Sequence, residues 1–133
     1  MIVLDTHALV WWVSGDNRLS APACERIEQE LASPGRQVLV SAISAWEIAM
    51  LVERGRIALA MDLDEWLQAV ESLDGIALVP LSAQLAVQSA TLPGEFHKDP
   101  ADRMIVALAR ERNAVLVTAD DRIQRYPHVR WAW

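Results

Sequence analysis

Residues 1–12 read MIVLDTHALVWW. Ile2, Val3 and Leu4 form an unbroken apolar run that stops at Asp5. An alternating pattern would mark a strand with one wet face; an unbroken one marks a strand covered on both. The next stretch, THALVWWV, reads as a short helix. A doubly covered strand that feeds straight into a helix is the first half of a parallel crossover unit, so further strands of the same kind are expected.

They recur. QVLVSA (37–42), IALVPL (76–81) and AVLVTA (114–119) are short apolar runs separated by helical patterns. SAPACERIEQELASPG (20–35) is an amphipathic helix begun by Ser20, with Pro22 in its first turn, and stopped by Pro34-Gly35. SAWEIAMLVERG (44–55) closes at Gly55, and DLDEWLQAVESLDG (62–75) starts on Asp62 or Asp64 as its N-cap. SAQLAVQSATL (82–92) and DPADRMIVALARERN (99–113) are two more helices, and VRWAW (129–133) is a final edge strand. Apolar strands alternating with helices predict an α/β chain: a three-layer α/β/α sandwich around a central parallel sheet, formed as one domain over residues 1–133. Ligands in such folds gather beyond the carboxyl ends of the strands.

The bulk properties narrow the classes. Hydrophobic residues make up 53% of 133 residues, too many for a disordered chain. Cys24 is the only cysteine, so no internal disulfide forms, which fits a reducing cytoplasm. The opening residues lack a basic region and carry an acid at position 5, so no secretory leader is expected. The longest apolar run near the start, ALVWWV, is far short of the ~20 residues of a membrane span. A net charge of −6 argues against a protein that simply coats nucleic acid, unless a cation mediates the contact. More than half of the twelve basic residues nevertheless lie from Lys98 onward.

Four acids stand at positions where a site is expected. Asp5 ends the first strand and Asp120 follows the fourth, so parallel neighbours would put both on one sheet edge. Each also has an ordinary account as a cap or turn residue. Glu47 shares a helix face with Ile43, Met50 and Leu51, and so reads as an acid inside an apolar stripe. An unpaired buried carboxylate costs several kcal/mol or a large pKa shift, so an arginine, hydrogen-bond donors or a metal must compensate. In HKDPADRM (97–104), Asp99 followed by Pro100 is a strong helix start. That makes Asp102 the third helical residue, favoured by the dipole yet at the border of the buried face. Asp99 reads chiefly as the cap, and Asp121 as a solvated neighbour of Asp120.

Two charges ~6 Å apart repel by roughly 3 kcal/mol at an effective dielectric of 20. Four carboxylates would stay ionised together only around cations. Oxygen ligands without cysteine or clustered histidine suit Mg²⁺ or Mn²⁺ rather than zinc. Such ions keep waters and bind phosphates, so the chemistry inferred is metal-assisted attack of water on a phosphodiester. Two other Mg²⁺-binding classes fit less well. A receiver module or an aspartyl phosphatase wants a lysine after a late strand, whereas Lys98 is the sole lysine and sits at a helix start. The phosphatase also wants an aspartate where His7 stands.

Taken in order, MIVLDTHALVWW, SAWEIA, HKDPADRMIVALA and LVTADDR resemble the sequence blocks of PIN-domain proteins, and most of all the VapC-like ribonuclease toxins of bacterial toxin–antitoxin pairs. The resemblance runs along essentially the whole chain. It implies a Mg²⁺- or Mn²⁺-dependent endoribonuclease whose acidic quartet falls on Asp5, Glu47, Asp102 and Asp120. Asp5 and Asp102 would be the most direct ligands, Asp120 would hold a second metal or its waters, and Glu47 would position a water or support the ligands. Thr6 and Thr118 match hydroxyl positions beside the acids, and Arg103 is a candidate phosphate contact. His7 and His97 flank the ligands without an assigned role. The resemblance also implies an RNA substrate, a homodimer and a cognate antitoxin whose tail directs an arginine at the acidic pocket. A PIN-fold RNA-binding or regulatory protein without a toxin role is the alternative. The extra acid Asp121 leaves two candidates in the fourth block.

Overall fold

The computed structural model describes residues 1–133, with five strands and seven helices. Strands β1 (Ile2–Leu4), β2 (Val38–Ser41), β3 (Ile76–Val79), β4 (Val115–Val117) and β5 (Trp131–Ala132) form one sheet in the order β3-β2-β1-β4-β5. All four pairings are parallel. Leu4 pairs with Val40 on one side and Val117 on the other, so β1 is the central strand. Every residue of β1 and β2 is buried, as their unbroken apolar runs require.

The helices are α1 (Thr6–Ser14), α2 (Ala21–Ala32), α3 (Ala42–Glu53), α4 (Leu63–Glu71), α5 (Ala83–Ala90), α6 (Pro100–Glu111) and α7 (Asp121–Gln124). Parallel crossovers are right-handed, so the direction in which the chain steps along the sheet decides which face its helix covers. From β1 to β3 the chain steps one way, and from β3 to β5 it steps back. Accordingly, Leu9, Ala23, Ile27, Ile48, Trp66 and Val70 from α1–α4 pack against Ile2, Leu4, Val38 and Val40. On the opposite face, Leu85, Ile105, Val106, Leu108 and Ile123 from α5–α7 pack against Val3, Leu39 and Leu116. Alternate residues of one strand thus feed two cores, the period-2 property of β structure.

Local signals set the helix starts. The side chains of Ser20, Ser41, Ser82 and Asp99 each accept a backbone N–H at the start of α2, α3, α5 and α6. Asp62 occupies the cap position of α4 without a side-chain bond. Gly15, just past α1, is left-handed at φ +67°, a conformation glycine adopts without a Cβ penalty.

The α3 stripe is not the one expected. Its fully buried residues are Ser44 and Ile48, whereas Ile43, Glu47, Met50 and Leu51 are only half-buried. Glu47 therefore does not interrupt the core; it stands on the flank of α3 that faces the end of the sheet. The tryptophans also divide. Trp66 is in the core and Trp46 is exposed, while Trp133 meets Trp11 edge-on with ring centroids 5.9 Å apart. No helix is long and apolar enough to cross a membrane.

Candidate active site

The sheet steps away from β1 in opposite directions toward β2 and β4, and a crevice opens beyond their carboxyl ends. It is a cleft of about 320 Å³ lined by Asp5, Glu47, Asp99, Asp102 and Asp120, with His7, Trp11 and Arg122. The four acids of the expected quartet converge there from β1, α3, α6 and the end of β4. Asp99 joins them.

Asp5 follows the central strand and is 7% exposed. Its Oδ1 accepts the Thr6 amide at 2.9 Å and its Oδ2 accepts the Thr118 hydroxyl at 2.6 Å. Burial raises its pKa; these two hydrogen bonds oppose the rise. The Thr118 hydroxyl also accepts the Asp120 amide at 3.0 Å, so one buried oxygen ties the acids of β1 and β4 together. Thr6 is buried too, and its hydroxyl donates to Ser44 Oγ at 2.9 Å, joining α1 to α3 beside Glu47.

Asp102 is strongly perturbed. It is 7% exposed, and burial, then the neighbouring Asp5, Asp99, Asp120 and Glu47, push its pKa to about 8. Burial, then Asp5 and Asp99, raise Glu47 as well, against the Thr6 hydroxyl. Asp120 goes the other way. Burial pushes it up, but hydrogen bonds from the Arg122 side chain and backbone hold it below the usual carboxylate value. Arg122 Nη2 lies 3.2 Å from Asp120 Oδ2 and 3.5 Å from Asp102 Oδ2. His97 Nε2 is 3.0 Å from the same Asp102 oxygen, without the alignment of a hydrogen bond, and is otherwise unpartnered.

The donor set fits a hard divalent cation. One carboxylate oxygen from each of Glu47, Asp99 and Asp102 lies within 4.8 Å of the others. Every ligand on offer there is an oxygen. Without a cation the cluster cannot be fully ionised near neutral pH, because its central member, Asp102, holds its proton to about pH 8.

Two residues read differently in three dimensions. Arg103 turns away from the cleft. Its guanidinium donates to the carbonyls of Ser89 (2.8 Å), Phe96 (3.0 Å), His97 (3.2 Å) and Ala90 (3.4 Å). Five guanidinium N–H groups invite carbonyl capture, and here they staple the 91–99 segment to α6 and α5 instead of meeting phosphate. Asp99 does cap α6, its Oδ1 accepting the Asp102 amide at 3.0 Å, yet its carboxylate also belongs to the acidic cluster. The cap sufficed to explain it in the sequence, which concealed the second property. Nothing in the sequence marks Arg122, because adjacency to Asp121, not to the cleft, is what it displays. Asp121 itself is exposed and pairs with Arg125 at 2.9 Å, outside the cleft.

Comparison with known proteins gives the chain's kinship. The PIN domain family model matches residues 2–129. The chain is 36% identical over 129 residues to Ribonuclease VapC22 of Mycobacterium tuberculosis, covering 97% of this chain and 94% of that protein. Among solved structures, VapBC2 from Rickettsia felis bound to a DNA fragment from its promoter superposes with a TM-score of 0.71 at 20% identity, covering 99% of this chain and 98% of that one. VapBC-1 from nontypeable Haemophilus influenzae gives 0.68 at 21% identity, with 99% and 97% covered. VapC20 of Mycobacterium tuberculosis, a sarcin-ricin loop cleaving toxin, gives 0.68 at 18% identity, with 97% of each chain covered. These three likenesses speak for the fold; the family match and the 36% relative speak for kinship. The chain belongs to the PIN-domain family.

Proposed function

We propose that this protein is a divalent-metal-dependent endoribonuclease and the toxin of a VapBC-type pair, with residues 1–133 working as one nuclease domain in the cytoplasm. The observation that carries the reading is the convergence of Asp5, Glu47, Asp102 and Asp120 on one cleft, in a chain 36% identical to a named ribonuclease. Asp5 and Asp102 would hold the ion, Asp120 would support a second ion or its waters, and Glu47 would orient a water at the rim. Bound Mg²⁺ or Mn²⁺ supplies Lewis acidity at the phosphoryl oxygen and lowers the pKa of its water. Thr118 fixes Asp5 against Asp120, and Thr6 fixes α1 against α3. The cleft's surplus of negative charge repels RNA until a cation is present, which reconciles an acidic chain with a polyanionic substrate. The same acids suit an antitoxin that presents a cationic side chain, and the neighbouring VapBC structures support an antitoxin partner. A homodimer completes the reading.

Incubation of purified protein with RNA tests it. Cleavage is expected with Mn²⁺ or Mg²⁺, none with chelator, and none by Asp5→Asn. Chelator-resistant cleavage that Asp5→Asn leaves intact would sink the assignment.

Asp99 separates two roles by substitution. Serine also caps, so Asp99→Ser is expected to leave the melting temperature nearly unchanged. It removes a carboxylate from the cluster, so Mn²⁺ affinity by calorimetry is expected to fall about tenfold, the scale of a supporting ligand. Equal affinity in both proteins would make Asp99 a cap and nothing more.

A further inference from the structure

We propose that Arg122 is an internal counter-cation that bridges two acids across the cleft, and that it becomes a phosphate-binding residue once a divalent ion takes over the Asp102 carboxylate. The proposal rests on the nuclease reading above. Arg122 is the only arginine or lysine lining the cleft, against five carboxylates. Its guanidinium is engaged with two of them at once, Asp120 Oδ2 at 3.2 Å and Asp102 Oδ2 at 3.5 Å. These come from different elements, so the side chain spans the opening between α6 and the end of β4. Nothing else holds the head group: all its side-chain bonds run to Asp120 and Asp102. Arg103 shows the contrast, its guanidinium locked on four carbonyls.

The Arg122 side chain is 54% exposed, and its backbone is fixed separately, the amide donating to Asp120 Oδ1 at 2.8 Å. The head can therefore leave the acids while the residue stays anchored at the rim. A dication held by Asp102 would repel a guanidinium on the same carboxylate, so Arg122 would leave that oxygen. The guanidinium, then held by Asp120 alone, lies at the rim of the cleft that the acids line. Arginine matches phosphate with two parallel N–H groups, so it supplies the one charge-assisted contact that the carboxylate-lined walls lack.

The test compares wild type with Arg122→Gln and Arg122→Lys, with circular dichroism as the folding control. Glutamine retains the backbone anchor. Mn²⁺ is titrated alone into metal-free protein by calorimetry, which reports whether or not RNA is cleaved. Arg122→Gln is expected to bind Mn²⁺ about tenfold more tightly, since a cation near the ion is gone. With single-stranded RNA the loss is expected mainly in KM, by about tenfold, rather than in kcat. The slope of log KM against log salt is expected to shrink by about 0.7, the value for one phosphate contact on a single strand. Arg122→Lys is expected to keep that slope with an intermediate KM, because it keeps the charge and loses the fork. Unchanged or weaker Mn²⁺ binding in Arg122→Gln would overturn the counter-cation role. A wild-type KM and salt slope would overturn the phosphate role, as would a loss confined to kcat. Failure of the wild type to cleave RNA would instead strike the nuclease reading and leave the Mn²⁺ comparison to judge Arg122.

Discussion

Asp102→Asn is expected to lose about a thousandfold in cleavage rate, the equivalent of about 4 kcal/mol of transition-state stabilisation, while gaining heat stability in the absence of metal. The two effects have one cause. Asp102 is buried among four other carboxylates, and its pKa rises from 3.8 to about 8. A group whose folded pKa lies above its unfolded value adds stability that is complete below the unfolded pKa and lost as pH rises through the folded one. Metal-free wild type should therefore weaken between about pH 4 and pH 8 relative to the variant, whose amide does not titrate. The asparagine can also donate to the neighbouring acids where a carboxylate only repels them. By pH 8 the variant is expected to melt about 5 °C higher in chelator, with little difference at pH 4. Mn²⁺ should reverse the order, stabilising wild type and not the variant. A melting difference that does not change with pH would show that Asp102 is not held protonated by its neighbours.

The fold was written in local signals. Unbroken apolar runs marked β1, β2 and β4 as strands covered on both sides, and serine or aspartate caps marked the helix starts. Asp5 and Asp120 were legible because a strand's end fixes where its next residue stands. Helical spacing singles out Glu47 for a reason that is only partly right. It groups the residue with Ile43 and Met50, but the core line of α3 runs through Ser44 and Ile48, and the Glu47 flank faces the cleft. Periodicity identifies a shared face and leaves open what that face meets. Asp99 and Arg122 were obscured for another reason. Each has a local duty, one as a cap of α6 and one as a neighbour of Asp120, and only the docking of α6 against β4 reveals that both reach the same cleft. Arg103 is the converse. Its neighbour Asp102 suggested a site, yet along a helix adjacent side chains point about 100° apart, and Arg103 points at the 91–99 segment.

Thr118 is where architecture and chemistry meet most closely, and its substitution should have the second-largest effect. Its hydroxyl is fully buried, donates to Asp5 Oδ2 at 2.6 Å and accepts from the Asp120 amide at 3.0 Å. Valine fills the same volume without either bond. Thr118→Val leaves a buried carboxylate oxygen and a backbone N–H without these partners, at a cost of about 2 kcal/mol in folding stability. It also frees the two acids to drift apart, with an expected activity loss of about 100-fold, the upper range for residues that orient ligands. A purely structural role would stop there. A positioning role predicts one thing more. The Thr118 hydrogen bond opposes the burial-driven rise of the Asp5 pKa. Without it that pKa climbs further, so the acidic limb of the pH–rate profile moves to higher pH. Thr118→Ser retains the hydroxyl and should restore both the rate and the profile. If Thr118→Val lowered the rate with an unmoved acidic limb, or if serine failed to rescue it, the hydroxyl would be a packing feature of β4 and the coupling of Asp5 to Asp120 would have to come from the backbone alone.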